Sequence, residues 1–355
     1  MSRQIAVVGA GISGLAAAKK LAELGYSVSV IEMETFPGGR ISSCEIEGCI
    51  LDDGAQYFKP ESSTLLDLML NELDTSELIK IDKTVNLINN AHQILPPDPD
   101  YSAETRYSYL NGNSTLPSLI TEYLKARGVN FLFGTTVSCI QHSEGLFELL
   151  DMQISSIIKA DGVVVSIPLP QAANLLSASA IHLPASMDVL DRVKTLRQIE
   201  YRQCLTVMLG YPFMVPMLNY CASLAEDKSY SLLWLAIETM KSSHRAPEGV
   251  TTMLAQMGPR FSKYSFLESD ELVVGRTLLE LEPMFGYTFN KPMWASVKRW
   301  RDSQPMGYVR FAEANPEEIL PEVVVCGDGL IKGGGKVHLA WESGIEAANT
   351  ISTRI

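Results

Sequence analysis

Gly9-x-Gly11-x-x-Gly14 sits between an apolar run, Ile5 to Val8, and an alanine-rich segment, and Glu32 closes the stretch. These residue types at this spacing suit the grip of a diphosphate. Gly9 permits a tight turn out of a strand, and Gly11 lets backbone approach the phosphates. Gly14, with Ala16, Ala17 and Ala18, lets the next helix pack thinly on the sheet. The N-terminus of that helix offers free N–H groups and partial positive charge. Glu32 lies 21 positions after Gly11 (32 − 11), near the ~20-residue offset of an acid that accepts from a ribose hydroxyl. Glycines alone would also suit a bare βαβ core. Strand, helix, second strand and terminal acid together point to a dinucleotide site.

Three further segments move the expectation from NAD towards FAD. Gly38-Gly39-Arg40 follows the second strand; its glycines let backbone pass close to a ligand, and Arg40 can neutralise a phosphate or lie along a flat ring. The plainer alternative is a surface turn. Asp53-Gly54-Ala55-Gln56-Tyr57 combines small residues, which allow a planar ring to approach, with polar and stacking side chains. A buried loop with a core tyrosine fits it equally well. Gly327-Asp328 ends an apolar strand, and Val337 follows nine residues later (337 − 328) at a helix start. The carboxylate can accept from a polyol, and the helix N-terminus can stabilise negative charge on a reduced flavin; a simple helix cap is the alternative.

The elements that must position these residues follow from the pattern of the chain. Its 355 residues suggest two domains. Hairpin strands are expected at 41–46 and 49–51, a leucine-rich helix at 62–73, and short strands within 81–95. Pro96, Pro97 and Pro99 mark a stiff loop. A helix over 117–127 leads to strands at 129–133, 135–140, 147–150 and 162–167, then a helix from 171. Strands at 204–210, 231–237, 251–257 and 293–300 surround a helix at 268–284. A final strand at 323–328 and a helix at 338–351 close the chain. The glycine segment and the last strand–helix unit lie at opposite ends, so both must enter one sheet. The fold class expected is α/β: a Rossmann-type FAD-binding domain (1–74, 105–172 and 319–355) interrupted by a substrate domain with a mixed sheet and helices (75–104 and 173–318).

Net charge is −12, which disfavours a general grip on nucleic acid or anionic lipid. No run offers ~20 uninterrupted apolar residues, and no hydrophobic tail precedes Ile355, so a soluble, cytoplasmic protein is expected. The six cysteines form no Cys-x-x-Cys and no metal spacing, and scattered thiols suit a reducing compartment. Cys44 and Cys49 flank the hairpin and read as strand residues rather than a disulfide.

Together, the Gly9/Gly11/Gly14 segment with Glu32, Pro37-Gly38-Gly39-Arg40, the segment at 52–57 and Gly327-Asp328 with residues 337–344 resemble the flavin-containing amine oxidoreductase superfamily. Gly54-Ala55-Gln56-Tyr57, the run Val163 to Gln171, and Lys298-Arg299-Trp300-Arg301 with Pro305 are most similar to its renalase branch. The resemblance implies non-covalent FAD touched by Ser13, Arg40, Gln56 and Tyr57, with the Val137 backbone at the adenine and the Val337 N–H at the flavin. Gly9, Gly11, Gly14, Glu32, Met33, Gly39, Gly54, Ala55, Gly327 and Asp328 complete the expected cofactor set. One departure is His338-Leu339-Ala340, where the family usually has Glu-Gly-Ala; the other is the absence of a cysteine from that helix.

The resemblance also implies the chemistry: an isomeric dihydro-NAD(P) gives a hydride to flavin N5, and dioxygen restores the flavin with release of hydrogen peroxide. Such a donor needs no strong base, only positioning and exclusion of water. The alternatives are an amine oxidase or flavin-dependent desaturase of the same superfamily, and a non-catalytic FAD-containing binding protein. Trp300, Arg301, Tyr57 and His338 are the candidates for the donor pocket. On a strand, Lys298 and Trp300 share one face and Arg299 and Arg301 the other. The arginines are read first as surface partners of Glu313, Glu317, Glu318 and Glu322, and Trp234, Trp294 and Trp341 as core. No metal site is expected.

Overall fold

A computed structural model describes residues 2–59, 63–97, 99 and 104–355. Residue 62 of the leucine-rich helix, and residues 98 and 100–103 at the end of the 75–104 stretch expected in the substrate domain, lie outside the described residues.

A parallel five-stranded sheet runs in the order Val323–Val325, Gly162–Val165, Gln4–Val8, Ser27–Ile31, Asn130–Leu132. Near-continuous Val/Ile runs suit strands covered on both faces. Ile5 pairs with Gly162 and Val28, and Val323 with Val163, so the two ends of the chain share one sheet. The first helix, Ile12–Glu23, packs against the last, Val337–Arg354. They touch where a Cβ on Gly344 would stand 2.0 Å from the Ser13 carbonyl oxygen, an approach only glycine allows.

The second large sheet has seven strands, in the order Trp294–Pro305, Tyr201–Tyr211, Thr251–Met257, Leu232–Ile237, Tyr220–Ala225, Thr84–Ile88, Ile94–Leu95. It is antiparallel except for the Tyr220–Ala225/Thr84–Ile88 pair. Its apolar side packs on the helix Asp270–Phe285 through Val273 and Leu281.

Several expectations need correction. Residues 173–196 do not stand with the second sheet. The helices Leu169–Ser179 and Ser186–Leu196 bury Leu176, Val189 and Val193 in the cluster that holds Val163, Val165 and Val323. Residues 135–138 are not a strand: Gly134 and Thr135 donate to the Glu34 and Glu32 carbonyls (both 2.9 Å), and pairing starts only at Cys139. The leucine-rich helix is split into Ser63–Asp67 and a π-turn, Leu68–Glu72. In the hairpin Cys44 opposes Leu51 and Ile46 opposes Cys49. The two cysteines are diagonal rather than facing, and both are free.

The helix Ser186–Leu196 is tied to the parallel sheet by buried Arg192, which donates to the carbonyls of Ala314 (2.7 Å) and Val323 (2.8 Å) and to Asn315 Oδ1 (2.8 Å). Truncation removes three buried hydrogen bonds, although Asn315 Oδ1 keeps the Val325 N–H (2.7 Å). Arg192→Ala is therefore expected to lower unfolding free energy by about 3 kcal/mol; an unchanged urea midpoint would refute this role.

Candidate functional site

The turn after the first strand is held from both sides. The Gly9 N–H donates to the Ile31 carbonyl (2.7 Å), and the Ser166 hydroxyl bonds the carbonyls of Val8 and Gly9 (both 2.8 Å). Gly9 adopts φ +102°, in the left-handed region that a side chain resists. A Cβ on Gly14 would stand 2.0 Å from the Gly9 carbonyl oxygen and 2.4 Å from Ser166 Oγ, whereas one on Gly11 would meet nothing within 4 Å. Gly14 is thus the packing glycine, and Gly11 borders open space. No side chain caps the helix that starts at Ile12, so its first N–H groups remain for an anion. Gly11 bridges Gly38, whose N–H donates to the Ala10 carbonyl (2.9 Å). This brings Gly39 and Arg40 to the same rim.

Glu32 is buried, and its carboxylate is partly engaged by this rim: Oε2 accepts from the Ala10 N–H (2.7 Å) and Oε1 from the Glu34 N–H (2.9 Å). Each oxygen keeps a second lone pair for a sugar hydroxyl. Met33 beside it is exposed. The Thr135 bond to the Glu32 carbonyl draws the segment holding Val137 to this end.

The opposite end of the chain reaches the rim through Asp328. Arg40 grips it in a two-point pair (Nη1–Oδ2 and Nη2–Oδ1, both 2.9 Å), and Nη1 also donates to the Ser303 carbonyl (3.2 Å). The Tyr201 hydroxyl donates to Asp328 Oδ1 (3.3 Å). Gly327 at φ +141° is anchored by its N–H to Ser343 Oγ (3.0 Å). The last helix begins at Val337 without a side-chain cap, and His338 is buried in its first turn.

The 52–57 segment lies between the two sheets. Its Ala55 N–H donates to the Arg40 carbonyl (3.0 Å), and a Cβ on Gly54 would stand 2.2 Å from that same oxygen. From the seven-stranded sheet, Trp300 Nε1 (2.9 Å) and Thr206 Oγ1 (3.3 Å) donate to the Asp53 carbonyl, and Gln256 Nε2 to that of Gly54 (3.1 Å). Lys298, Thr206, Gln256 and Trp234 form one cross-strand row, and paired residues share a face. That row fronts the 52–57 loop. The Gln56 carbonyl oxygen accepts from Trp234 Nε1 (3.1 Å) and Lys241 Nζ (3.3 Å), while its amide donates to the Asp52 and Gly54 carbonyls. The Tyr57 ring lies 5.8 Å from Trp234.

Beneath the loop sits a fully buried set of four charges that sequence reasoning missed. Lys241 pairs with Asp52 (3.0 Å) and Glu238 (2.7 Å), and Arg245 with Asp52 (3.0 Å) and Glu238 (3.1 Å). Only the i, i+3 spacing of Glu238 and Lys241 hinted at it. Thr206 and Gln256 carried no sequence signal, and Ser166 was marked only as part of the run Val163 to Gln171.

Among the pocket candidates, Trp300 and Tyr57 stand at this junction. Arg301 does not: it is exposed, in the bulge between the Trp300 and Gln304 pairs. Arg299 bonds the Phe266 and Glu268 carbonyls and Asp270, not the expected glutamates 313–322. Lys298 rests 5.0 Å from the Trp300 ring centroid. Burial pushes the Asp53 carboxyl above its usual value, against the opposing Ser42 hydrogen bond and Lys298 charge. Burial likewise raises the Cys44 and Cys326 thiols to about 12, so neither is a nucleophile at neutral pH.

The residues present fit FAD: an uncapped helix start beside a side-chain-free rim for the diphosphate, an acid at the ribose end, Asp328 for a polyol, and a second uncapped helix start beyond it.

Comparison with known proteins agrees. A family model described as flavin-containing amine oxidoreductase matches residues 89–352, and one described as an NAD(P)-binding Rossmann-like domain matches residues 7–73. Protoporphyrinogen oxidase 2 of Arabidopsis thaliana is 46% identical over 68 residues, 18% of this chain and 13% of that one. Putrescine oxidase of Kocuria rosea is 39% identical over 69 residues, 19% and 14% of the two chains. The match therefore spans only a small part of these relatives' length. Among solved structures, cyclohexylamine oxidase from Brevibacterium oxydans superposes with a TM-score of 0.74 at 16% identity over 99% of both chains. Putrescine oxidase bound to putrescine gives 0.72 at 15% over all of both. At that identity the likeness is one of fold. Among the described residues no helix is long and apolar enough to cross a membrane, and no cluster suits a metal ion.

Proposed function

Because this chain belongs to the flavin-containing amine oxidoreductase family, we propose that it is an FAD-dependent oxidase whose donor is an isomeric dihydronicotinamide dinucleotide. FAD held between the opening glycine turn and Asp328 would supply the hydride acceptor, and the hydride's two electrons and proton, with one more proton from solvent, would convert dioxygen to hydrogen peroxide. The protein's task is then to hold two flat rings in contact and keep water out.

The observation that supports this donor is the sheet row facing the 52–57 loop. It presents Lys298 over Trp300, while the neighbouring carboxyl, Asp53, is buried and bonded to the Ser42 hydroxyl. An ammonium donor would meet a cation there and find no ready counter-charge. A neutral ring carrying phosphates finds an aromatic face and a lysine. Trp300 is held by its bond to the Asp53 carbonyl, and Gln56 by four hydrogen bonds, so the loop and the row present one fixed geometry. The hydride leaves a ring that must lose no further proton, so no general base is required of the chain.

The fold shared with amine oxidases supports a second reading, oxidation of an amine. Anaerobic mixing separates them. The flavin should bleach with 2- or 6-dihydronicotinamide dinucleotides and not with putrescine or cyclohexylamine. Bleaching by amines alone would reverse the assignment, and retained FAD with no bleaching by any donor would mark a non-catalytic flavoprotein.

A further inference from the structure

Arg202 has no role in the fold as described, and its surroundings ask for one. The other deeply placed arginines are anchored: Arg192 on three acceptors, Arg245 on two carboxylates, Arg40 on Asp328. The Arg202 guanidinium is half-buried, its Nε is fully enclosed, and no partner is found for it among the described residues. A desolvated cation is ordinarily paired, so its missing partner is an anion that the chain does not supply.

Its place in the site indicates whose anion that is. Arg202 pairs across strands with Gln304, whose amide donates to the Gly335 carbonyl (3.3 Å) just before the last helix. Two residues along its own strand, past a bulge in the partner strand at 301–303, Cys204 pairs with Trp300, and the next pair on that face is Thr206 with Lys298. Arg202 and Lys298 thus flank Trp300 on the substrate-sheet side. The cofactor's diphosphate already has the uncapped helix start and Arg40 on the other domain.

Resting on the donor reading above, we propose that Arg202, with Lys298 beyond Trp300, forms the anion-recognition subsite of the donor site, taking a phosphoryl or carboxylate group on a donor whose ring lies at Trp300. The guanidinium fork suits such planar or tetrahedral oxyanions.

The holoenzyme tests this through a preference. The ratio of kcat/KM for a 6-dihydronicotinamide dinucleotide over the uncharged 6-dihydronicotinamide riboside should fall roughly 10–100-fold in Arg202→Met, less in Lys298→Met, and be largely restored in Arg202→Lys. The dinucleotide KM should rise with salt in the parent protein. If Arg202→Met weakens FAD binding or shifts the flavin potential with the preference intact, the anion belongs to the cofactor and the proposal is wrong. An unchanged ratio with unchanged FAD binding also overturns it. Should no dihydronicotinamide bleach the flavin, the donor reading fails by itself. Inorganic pyrophosphate then probes the subsite: it should perturb the visible spectrum of the oxidised holoenzyme saturably, and not in Arg202→Met. No perturbation in the parent protein would sink the subsite too.

Discussion

Gly14→Ala should yield a folded protein that cannot hold its flavin. The added Cβ would sit 2.0 Å from the Gly9 carbonyl oxygen and 2.4 Å from Ser166 Oγ, and the first of these is backbone that no rotamer can move. The helix start must back away from the turn, taking with it the uncapped N–H groups that would meet the diphosphate. The helix itself gains from alanine, so the damage falls on the ligand geometry. A loss of about 3 kcal/mol in FAD binding corresponds to more than a hundredfold weaker Kd. Titration of apoprotein with FAD measures this, and circular dichroism checks that the fold persists. Gly11→Ala is the useful contrast, because its Cβ meets no protein atom; any loss there reports the approach of the phosphates themselves. A Gly14→Ala protein that holds FAD as tightly as the parent would contradict this role for the turn.

Lys241→Met, in the short helix Glu238–Lys241 beside the second sheet, should be strongly destabilising. It leaves Asp52 and Glu238, both fully buried, facing each other with Arg245 as the one remaining cation of the set. Breaking a buried pair from one side typically costs about 3–5 kcal/mol. Burial alone would raise the Asp52 carboxyl, but the Lys241 and Arg245 charges outweigh it and hold it below its usual value. The stability this supplies is present above the ordinary carboxylate pKa and is lost as pH falls through the lowered one. Without Lys241 the Asp52 value rises, so acid unfolding should begin at higher pH. Urea midpoints across a pH series test both statements. The same lysine holds the Gln56 carbonyl, so flavin absorbance should also broaden or shift in protein that still folds. An unchanged midpoint and acid profile would show the network to be energetically idle.

The parts of this site that were readable from sequence are those with a backbone reason. Gly9 and Gly14 announce a left-handed turn and a close helix contact, and the structure has both. The need to bring residues 5–14 and 323–344 into one sheet followed from two half-motifs at opposite ends. What escaped is what spacing cannot encode. Thr206 reaches the Asp53 carbonyl across 153 positions, and Gln256 the Gly54 carbonyl across 202. Asp52 meets Lys241 across 189 positions, so the four-charge set exists only once two domains are packed. Strand alternation already separated Arg299 and Arg301 from Lys298 and Trp300 in the sequence; what it could not give is partners, and Arg299 is spent on the loop at 266–270 rather than on the glutamates at 313–322, while Lys298 lies over Trp300. Residues 135–138 have strand-forming types, but the backbone at 134 and 135 is drawn to the Glu34 and Glu32 carbonyls instead.

The most direct measurement is the visible spectrum of the purified chain, followed by acid precipitation. One oxidised flavin per chain, released wholly to the supernatant as FAD, is the predicted result. A colourless protein that takes up no FAD on incubation would contradict a site in which the opening glycine turn and Asp328 enclose the same cofactor.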